Sequence, residues 1–394
     1  MIDAFSQVSV TRSRRLGMHG RSGPRWALWM LALTVVSATA ASQGDGRVAT
    51  RQRDQLVEGQ RLEGQAILAL ADAAMASERG ASPADFRIRW RNDFLKAQQG
   101  TFVPFTVVIE AAGALPASAL VYVRAVPRAV AAGGASGRRV ADRQPSGRKP
   151  PSSGGEYPVD AIFPVDLKPD GSHVARVSRG FSIAPGDYNI YVVVRERPIV
   201  PGARGQPRAA VLTQPLTVPD FWNGELTTSS VILADRLTTL SAPVTADELV
   251  ERPYVIGQNE VTPAADDRFR RAEELVVVLL VYNQTVTPEK HFDIQVEYHF
   301  FQQVGAGRKA ENAQAGPHPP AREGERYFNH TDPQRFNPAI MGAQFDPGAG
   351  HPVLAGQGIP LAGFEQGDYR LAIKVTDLLS GKFVTRDVTF SVGS

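Results

Sequence analysis

The sequence predicts an all-β protein in which two antiparallel β-sandwiches in tandem follow a signal peptide and one N-terminal helix. One observation is the alternation of apolar and polar residues over 369–376, then a turn with Gly381 and a second alternating stretch to 392, which is typical of a β-hairpin. The other is that Gly-Asp-Tyr, which opens this hairpin at 367–369, also opens an alternating run at 186–188. Two copies of one closing unit predict two sandwiches.

Length and composition indicate a globular protein with two domains. A chain of 394 residues is long enough for two cores plus tails. The formal net charge is +3, but residues 1–40 hold five arginines and one acidic residue, so the remainder is nearly neutral and no nucleic-acid binding is expected. The sequence has no cysteine, which excludes disulfides, thiolate metal sites and a lipid-modified cysteine anchor.

Residues 1–40 have the pattern of a signal peptide. A basic stretch up to Arg25 precedes an apolar run at 26–36, and Ala38 and Ala40 form a small-residue cleavage site. The run is too short to remain in a bilayer as a spanning helix, so no integral membrane segment is expected in the mature chain. We therefore expect an exported protein, periplasmic or extracellular. Met1 and Met18 are both candidate start residues.

Residues 41–84 are predicted to hold a disordered stretch and then an amphipathic helix, because apolar residues recur at helical spacing over 55–75. The first sandwich spans 85–218, with strands predicted at 86–90, 102–110, 119–126, 159–167, 173–183, 186–194 and 208–218. Between the third and fourth strands, residues 127–156 are rich in Ala, Gly, Ser, Pro and Arg, which predicts a flexible basic insertion. A tolerated surface insertion is favoured over an arm for an acidic partner.

A hinge is predicted at 219–226, before the second sandwich at 227–394. Its aromatic residues, Phe221 and Trp222, are candidates for packing at the domain boundary or for stacking on a sugar ring. The boundary is favoured, because buried aromatic residues dominate interface energetics. In the second sandwich, Thr245 and Glu248 have capping-box spacing, the apolar run 274–282 predicts a strand inside a sheet, and long loops are predicted at 302–325 and 327–350.

The candidate binding site is the 327–346 part of the last loop, with Phe328, Asn329, His330, Asp332, Arg335 and Phe336. Aromatic, amide and charged side chains on a loop that a rigid sandwich carries are typical of a binding surface. The competing and favoured interpretation is a loop packed by its own aromatic residues.

No residue is assigned to catalysis, a cofactor or a metal. The sequence lacks the phosphate-binding, zinc-protease, EF-hand and serine-hydrolase motifs. Ligand-type residues do share the polar face of the 291–300 strand, namely His291, Asp293, Glu297 and His299. A half-solvated strand has a polar face in any case, and a solvent-facing role is favoured.

The Gly-Asp-Tyr strand that ends in Val375-Thr376-Asp377 resembles the penultimate strand of bacterial immunoglobulin-like and fibronectin-type-III-like domains. Tyr188 and Tyr369 resemble the corner tyrosine of such folds, whose hydroxyl binds an upstream backbone group. The resemblance implies two immunoglobulin-like sandwiches and leaves function open. The chain as a whole resembles a family of exported bacterial proteins that has no assigned activity.

The leading hypothesis is a non-catalytic exported protein that acts as a binding or assembly module of the cell envelope, with a protein or an envelope polysaccharide as partner. One alternative is a hydrolase or carbohydrate-binding accessory protein that uses the 327–346 loop. A second is a two-domain periplasmic chaperone, which requires an exposed sheet edge. Neither the ligand nor the oligomeric state follows from the sequence.

Overall fold

The computed structural model describes residues 45–76, 83–128, 157–169, 173–197, 206–242, 244–305, 319–342, 345–347 and 351–394, with the side chains of the first helix described from residue 59 onward. The predicted signal peptide and nearly all of the predicted basic insertion lie outside these residues. Contacts divide the chain into two compact units, Met1–Gln55 and Leu56–Ser394. Apart from the start of that helix, every element described below belongs to the second unit.

The described chain is mostly β-structure, which confirms the all-β prediction. The helices are α1 (Asp45–Ala76), α2 (Ala246–Glu251) and α3 (Pro338–Met341). The first ten strands are β1 (Arg87–Asn92), β2 (Leu95–Lys96), β3 (Thr101–Glu110), β4 (Ser118–Pro127), β5 (Val159–Asp166), β6 (Val174–Ile183), β7 (Gly186–Glu196), β8 (Ala209–Val218), β9 (Thr227–Thr228) and β10 (Ile232–Thr239). The others are β11 (Val255–Ile256), β12 (Asn259–Pro263), β13 (Arg268–Arg270), β14 (Glu274–Tyr282), β15 (Ile294–Gln303), β16 (Glu325–His330), β17 (Gln334–Phe336), β18 (Val353–Pro360), β19 (Gly367–Asp377) and β20 (Phe383–Gly393).

The first sheet pair encloses one apolar cluster. One of its sheets has the strand order β5-β4-β7-β8, and in the other β3 pairs with β6 along one edge and with β1 and β2 along the opposite edge. All these pairings are antiparallel. Alternate residues of both sheets, among them Phe105, Val121 and Val192, point between them and are fully buried.

The second sheet pair repeats this connectivity. One sheet has the order β11-β12-β10-β14-β18, with β9 also on β14, and the other has the order β13-β20-β19-β15-β16, with β17 also on β15. β14 pairs with β18 as β3 pairs with β6, and β15, β19 and β20 adjoin one another as β4, β7 and β8 do. Among the described strands, β13 and β20 pair in parallel and the others are antiparallel. The cluster between these two sheets centres on Tyr298, Phe300, Tyr369 and Phe390.

A third apolar cluster joins the two sheet pairs, and we call it the seam. Its buried members are Leu95, Phe221, Ile232, Ala234, Tyr254, Val261, Val278, Leu280 and Tyr282. β14 is buried on both faces because Val277 and Leu279 point into the second sheet pair, whereas Val278 and Leu280 point into the seam. This explains the uninterrupted apolar run that predicts a strand inside a sheet.

Helix α1 packs on the outer face of the sheet that contains β4 and β7. Ile67 and Ala71 are fully buried there against Leu120, Tyr122 and Val193. The helix begins at Asp45, so residues 45–54 differ from the disorder that the sequence predicts. Between the glycines at 46 and 59 the chain contains neither Gly nor Pro and is rich in Arg and Gln, both of which favour helix.

The stretch predicted as a long loop at 327–350 also differs from the prediction. Its first part continues β16 to His330 and then forms β17, and both strands pair with the edge of β15. Likewise, the loop predicted at 302–325 is shorter, because β15 runs to Gln303 and β16 begins at Glu325. Strands β16 and β17 are short edge strands without regular alternation of apolar and polar residues, so a search for that alternation does not find them.

Candidate functional site

Two aromatic residues of the predicted binding loop lie against the core. Phe328 has its ring centroid 4.9 Å from that of Phe364 and 5.4 Å from that of Tyr369. Phe336 packs against the same cluster from β17. Both rings therefore hold the edge strands on the second sheet pair, as the packing interpretation of this stretch requires.

The polar residues of that stretch lie outside both cavities described below. The exposed ones are Asn329, His330, Asp332 and Arg335. The His330 Nδ1 atom lies 3.0 Å from the Tyr327 hydroxyl, which brings two rings together on the edge strand. The Arg335 guanidinium makes two hydrogen bonds to the Asp293 carboxylate and holds the pKa of that carboxyl below its usual value. This pairing neutralises the charge of Arg335.

Three of the four ligand-type residues of β15 and the segment before it, Asp293, Glu297 and His299, contact other side chains, whereas His291 is exposed. Besides the Asp293 pair, Glu297 lies 3.4 Å from the Lys374 ammonium. His299 is only 6% exposed, so it is not solvent-facing as predicted, because Tyr327 and His330 cover it with ring centroids about 6 Å away. In the part of the chain that the structure describes, no group of three or more His, Cys, Asp or Glu side chains is arranged to hold a metal.

The two hinge aromatics have different positions. Phe221 is 2% exposed and lies in the seam, with its ring centroid 5.3 Å from that of Tyr282. Trp222 is 52% exposed and is not a member of the seam, so the expected packing at the domain boundary holds for Phe221 and not for Trp222. The Asp220 carboxylate accepts the backbone N–H of Trp222 at 2.8 Å, and this local turn directs the two neighbouring rings apart.

Beside Trp222 lies an apolar cavity of about 420 Å³, which we call the seam groove. Both sheet pairs and α2 contribute its walls, which include Leu95, Phe102, Leu249, Val250, Ile256 and Leu280. This volume and lining are usual for small-molecule sites. The sequence does not indicate the groove, because its walls come from segments about 150 residues apart in the chain.

Local sequence explains how α2 forms one wall of the seam groove. Thr245 caps the helix by accepting the backbone N–H of Glu248, whose side chain accepts the N–H of Thr245 in return, which confirms the predicted capping box. The helix presents Leu249 and Val250 to the groove, and they remain 40% and 50% exposed. Phe102 also lines the groove, and its ring occupies the position of the missing side chain at Gly180, where any Cβ would collide with it.

Lys96 is the only charged residue among those that line the seam groove. Its ammonium donates to Asn283 Oδ1 at 2.7 Å and lies 4.2 Å from the centroid of the Trp222 ring, a cation–π contact. Burial lowers the pKa of Lys96, and the nearby Asp220 carboxylate opposes this effect. The Tyr282 hydroxyl accepts the Lys96 backbone N–H at 3.1 Å, and burial raises the pKa of this phenol.

A second cavity, of about 470 Å³, is polar. Its lining includes Arg89, Asp266, Asp267, Arg268 and Asp368. Arg91, from the neighbouring part of β1, forms an ion pair of 2.9 Å with Asp267. The mixed charges of this cavity largely neutralise one another, so the seam groove is the better candidate site.

Comparisons with known proteins give little similarity. No model of a known protein family matches the chain, and no curated protein matches it. Among solved structures, the chain is similar to Escherichia coli alpha-2-macroglobulin activated by porcine elastase, with 13% identity and a TM-score of 0.17 over 81% of this chain. It spans only 24% of the length of that protein.

No helix in the described part of the chain has the length and apolar composition needed to cross a membrane.

Proposed function

We propose that this protein is a non-catalytic exported protein that serves as a binding module of the cell envelope, and that the seam groove is its binding site. The observation that carries the proposal is the groove itself, with apolar walls from both sheet pairs, two exposed aliphatic side chains on α2 and a single ammonium group. A concave apolar site with few polar groups is the usual form of a small-molecule site.

We further propose that each sheet pair is an immunoglobulin-like sandwich. The supporting observations are the matching strand connectivity and the equivalent tyrosines, Tyr188 on β7 and Tyr369 on β19. Each hydroxyl donates to a backbone carbonyl four residues upstream, which is the bond of a tyrosine corner. A rigid pair of sandwiches would then fix the walls of the groove.

Export is proposed from the pattern of residues 1–40. N-terminal sequencing of the protein from the cell envelope should give a chain that starts after Ala40. Replacing Ala40 with Arg should block this cleavage. Envelope protein that keeps Trp26 would contradict the proposal for the leader without bearing on the groove.

Binding at the groove is tested with a fluorescent apolar reporter dye. We expect the full chain to bind the dye saturably with a stoichiometry of about one, as a single site at the seam groove requires. Leu249→Asp should abolish binding, because it places a charge on an apolar wall. Leu62→Asp is the matched control, since Leu62 is also an exposed helical leucine but lies on α1. Failure to bind, or equal loss in both variants, would refute the proposed site.

A further inference from the structure

The Lys96 ammonium forms no ion pair among the described residues. An ammonium group has three N–H donors. Asn283 Oδ1 is its one side-chain acceptor in the described part of the chain, and the carboxylate that acts on it, that of Asp220, partly offsets its charge without a direct contact. The other close neighbour of the ammonium is the face of the Trp222 ring, which attracts a cation without neutralising it.

The position of this ammonium at the edge of the groove leaves it accessible. Lys96 itself is only partly buried, and Trp222, which lies directly beside its ammonium, is 52% exposed. The ring orientation is held by a hydrogen bond of 3.1 Å from the indole N–H to the Gly100 carbonyl. An anion that approached here would form a charge-assisted hydrogen bond in partly apolar surroundings, where such bonds are stronger than in water.

The rest of the groove suits an apolar chain. Leu249, Val250 and Phe102 expose hydrocarbon to the cavity, and Ser182 and Tyr282 are the only uncharged polar residues of the lining. The hydroxyl of Tyr282 already accepts the backbone N–H of Lys96. A ligand body inside the groove would therefore find apolar surface on most sides.

From this arrangement we infer that the seam groove binds an amphiphile that has one apolar chain and one anionic head group, with the head on the Lys96 ammonium beside Trp222 and the chain against the apolar side chains of α2 and Phe102. The inference rests on the proposed binding function of the groove. It adds the class of ligand and the residue that selects the sign of the head group.

Three ten-carbon probes distinguish the outcomes, namely decanoate, decylammonium and decanol, each used below its micelle concentration against the full chain. Displacement of the reporter dye gives the affinity of each probe. We expect decanoate to bind at least tenfold more tightly than decanol, and decylammonium to bind most weakly, because it would approach a like charge.

Variants assign the selectivity to Lys96. Lys96→Met keeps most of the apolar stem and should lower decanoate affinity at least tenfold while leaving decanol affinity unchanged, whereas Lys96→Arg should retain selectivity for the anion. Lys374→Met is the matched control, since that ammonium also faces an aromatic ring, Phe383, but on a different sheet.

Equal affinity for all three probes, or no effect of Lys96→Met, would overturn the inference and leave the groove as a binding site. If neither the probes nor the dye bind, the proposed function fails with it. A concentration-dependent dimer that decanoate does not dissociate would identify a second copy as the occupant and overturn the inference.

Discussion

Tyr188 and Tyr369 make the same hydrogen bond in the two sheet pairs, from the phenol hydroxyl to the backbone carbonyl oxygen of the residue four positions earlier. The bond is 3.0 Å to Ala184 and 2.8 Å to Glu365. Both rings are buried, with exposed fractions of 7% and 0%. Each bond fastens the start of a central strand to the connection that leads into it.

We expect Tyr→Phe at either position to lower the free energy of unfolding by about 1 kcal/mol, because one buried hydrogen bond is lost. Tyr→Ala should cost about 3–5 kcal/mol, because a cavity also opens. The larger loss is expected at Tyr369, whose ring stacks on Phe390 and also contacts Phe364. Urea unfolding followed by circular dichroism measures each value. Unchanged stability of either Ala variant would show that the ring is not a core residue in solution.

The buried pair of Arg370 and Glu325 predicts a strong penalty for breaking it. Two hydrogen bonds, of 2.8 and 2.6 Å, join these side chains, and each is only 3% exposed. Arg370→Met should destabilise by about 3–5 kcal/mol, because it leaves a buried carboxylate without its cation. Arg335→Met is the control; it removes an arginine that is 57% exposed, and a cost below about 1 kcal/mol is expected. The double variant Arg370→Met with Glu325→Met should recover part of the loss, and a purely additive result would rule out coupling.

Asp93 predicts a dependence of stability on pH. Its carboxylate is enclosed where β1 meets the seam, and burial raises its pKa from 3.8 to about 6, opposed by the hydrogen bond from Tyr254 and the charge of Arg91. The folded protein therefore holds this proton up to a higher pH than the unfolded chain does. The resulting stability is fully present below pH 3.8 and is lost as the pH rises through about 6, a difference of about 2–3 kcal/mol.

Asp93→Asn isolates this contribution, because the amide oxygen can still accept from Tyr254 but carries no charge. The difference in unfolding free energy between the variant and the natural protein should move in favour of the variant as the pH rises from 4 to 7, by about 2–3 kcal/mol. Parallel pH profiles for the two proteins would show that the pKa of Asp93 is the same in the folded and unfolded states.

The basic insertion predicted at 127–156 is expected to be dispensable for folding. Strands β4 and β5 flank it, and Ala125 pairs directly with Val159, so the two ends lie close together. Replacing residues 129–156 with a short Gly/Ser linker should change stability by only about 1 kcal/mol. Thermal melting of the deletion chain tests this. A deletion chain that fails to fold would show that the insertion contributes to the core.

The long strands could be predicted from the sequence because each has one apolar face against its own core. Those predicted in the first sheet pair begin and end close to the observed β1, β3, β4, β5, β6 and β8. The alternation on β19, with Tyr369, Leu371 and Ile373 inside, is the same signal in the second pair. The short strands β12, β13, β16 and β17 carry no such signal, because each is too short to show a regular alternation of buried and exposed residues.

The candidate site could not be predicted from the sequence as the long strands could. A run of mixed aromatic and polar residues at 327–336 resembles a binding loop, but only packing decides that Phe328 and Phe336 face inward. Conversely, Leu249 and Lys96 carry no motif and become neighbours of one cavity only through the tertiary fold. The alternation of apolar and polar residues predicts which face of a strand is buried. For β14, where both faces are apolar, it does not predict that the face with Val278 and Leu280 packs in the seam.

The double burial of β14 has a consequence for the order in which the chain can fold as it is synthesised. The first sheet pair is complete in sequence at Val218, but Leu95 and Phe102 at its end remain uncovered until residues 232–282 follow. A nascent chain at that stage therefore presents an exposed apolar surface, which promotes aggregation. The yield of native protein should therefore depend on how soon β14 is synthesised after Val218. Slow synthesis of the segment between Val218 and Tyr282 should lower that yield.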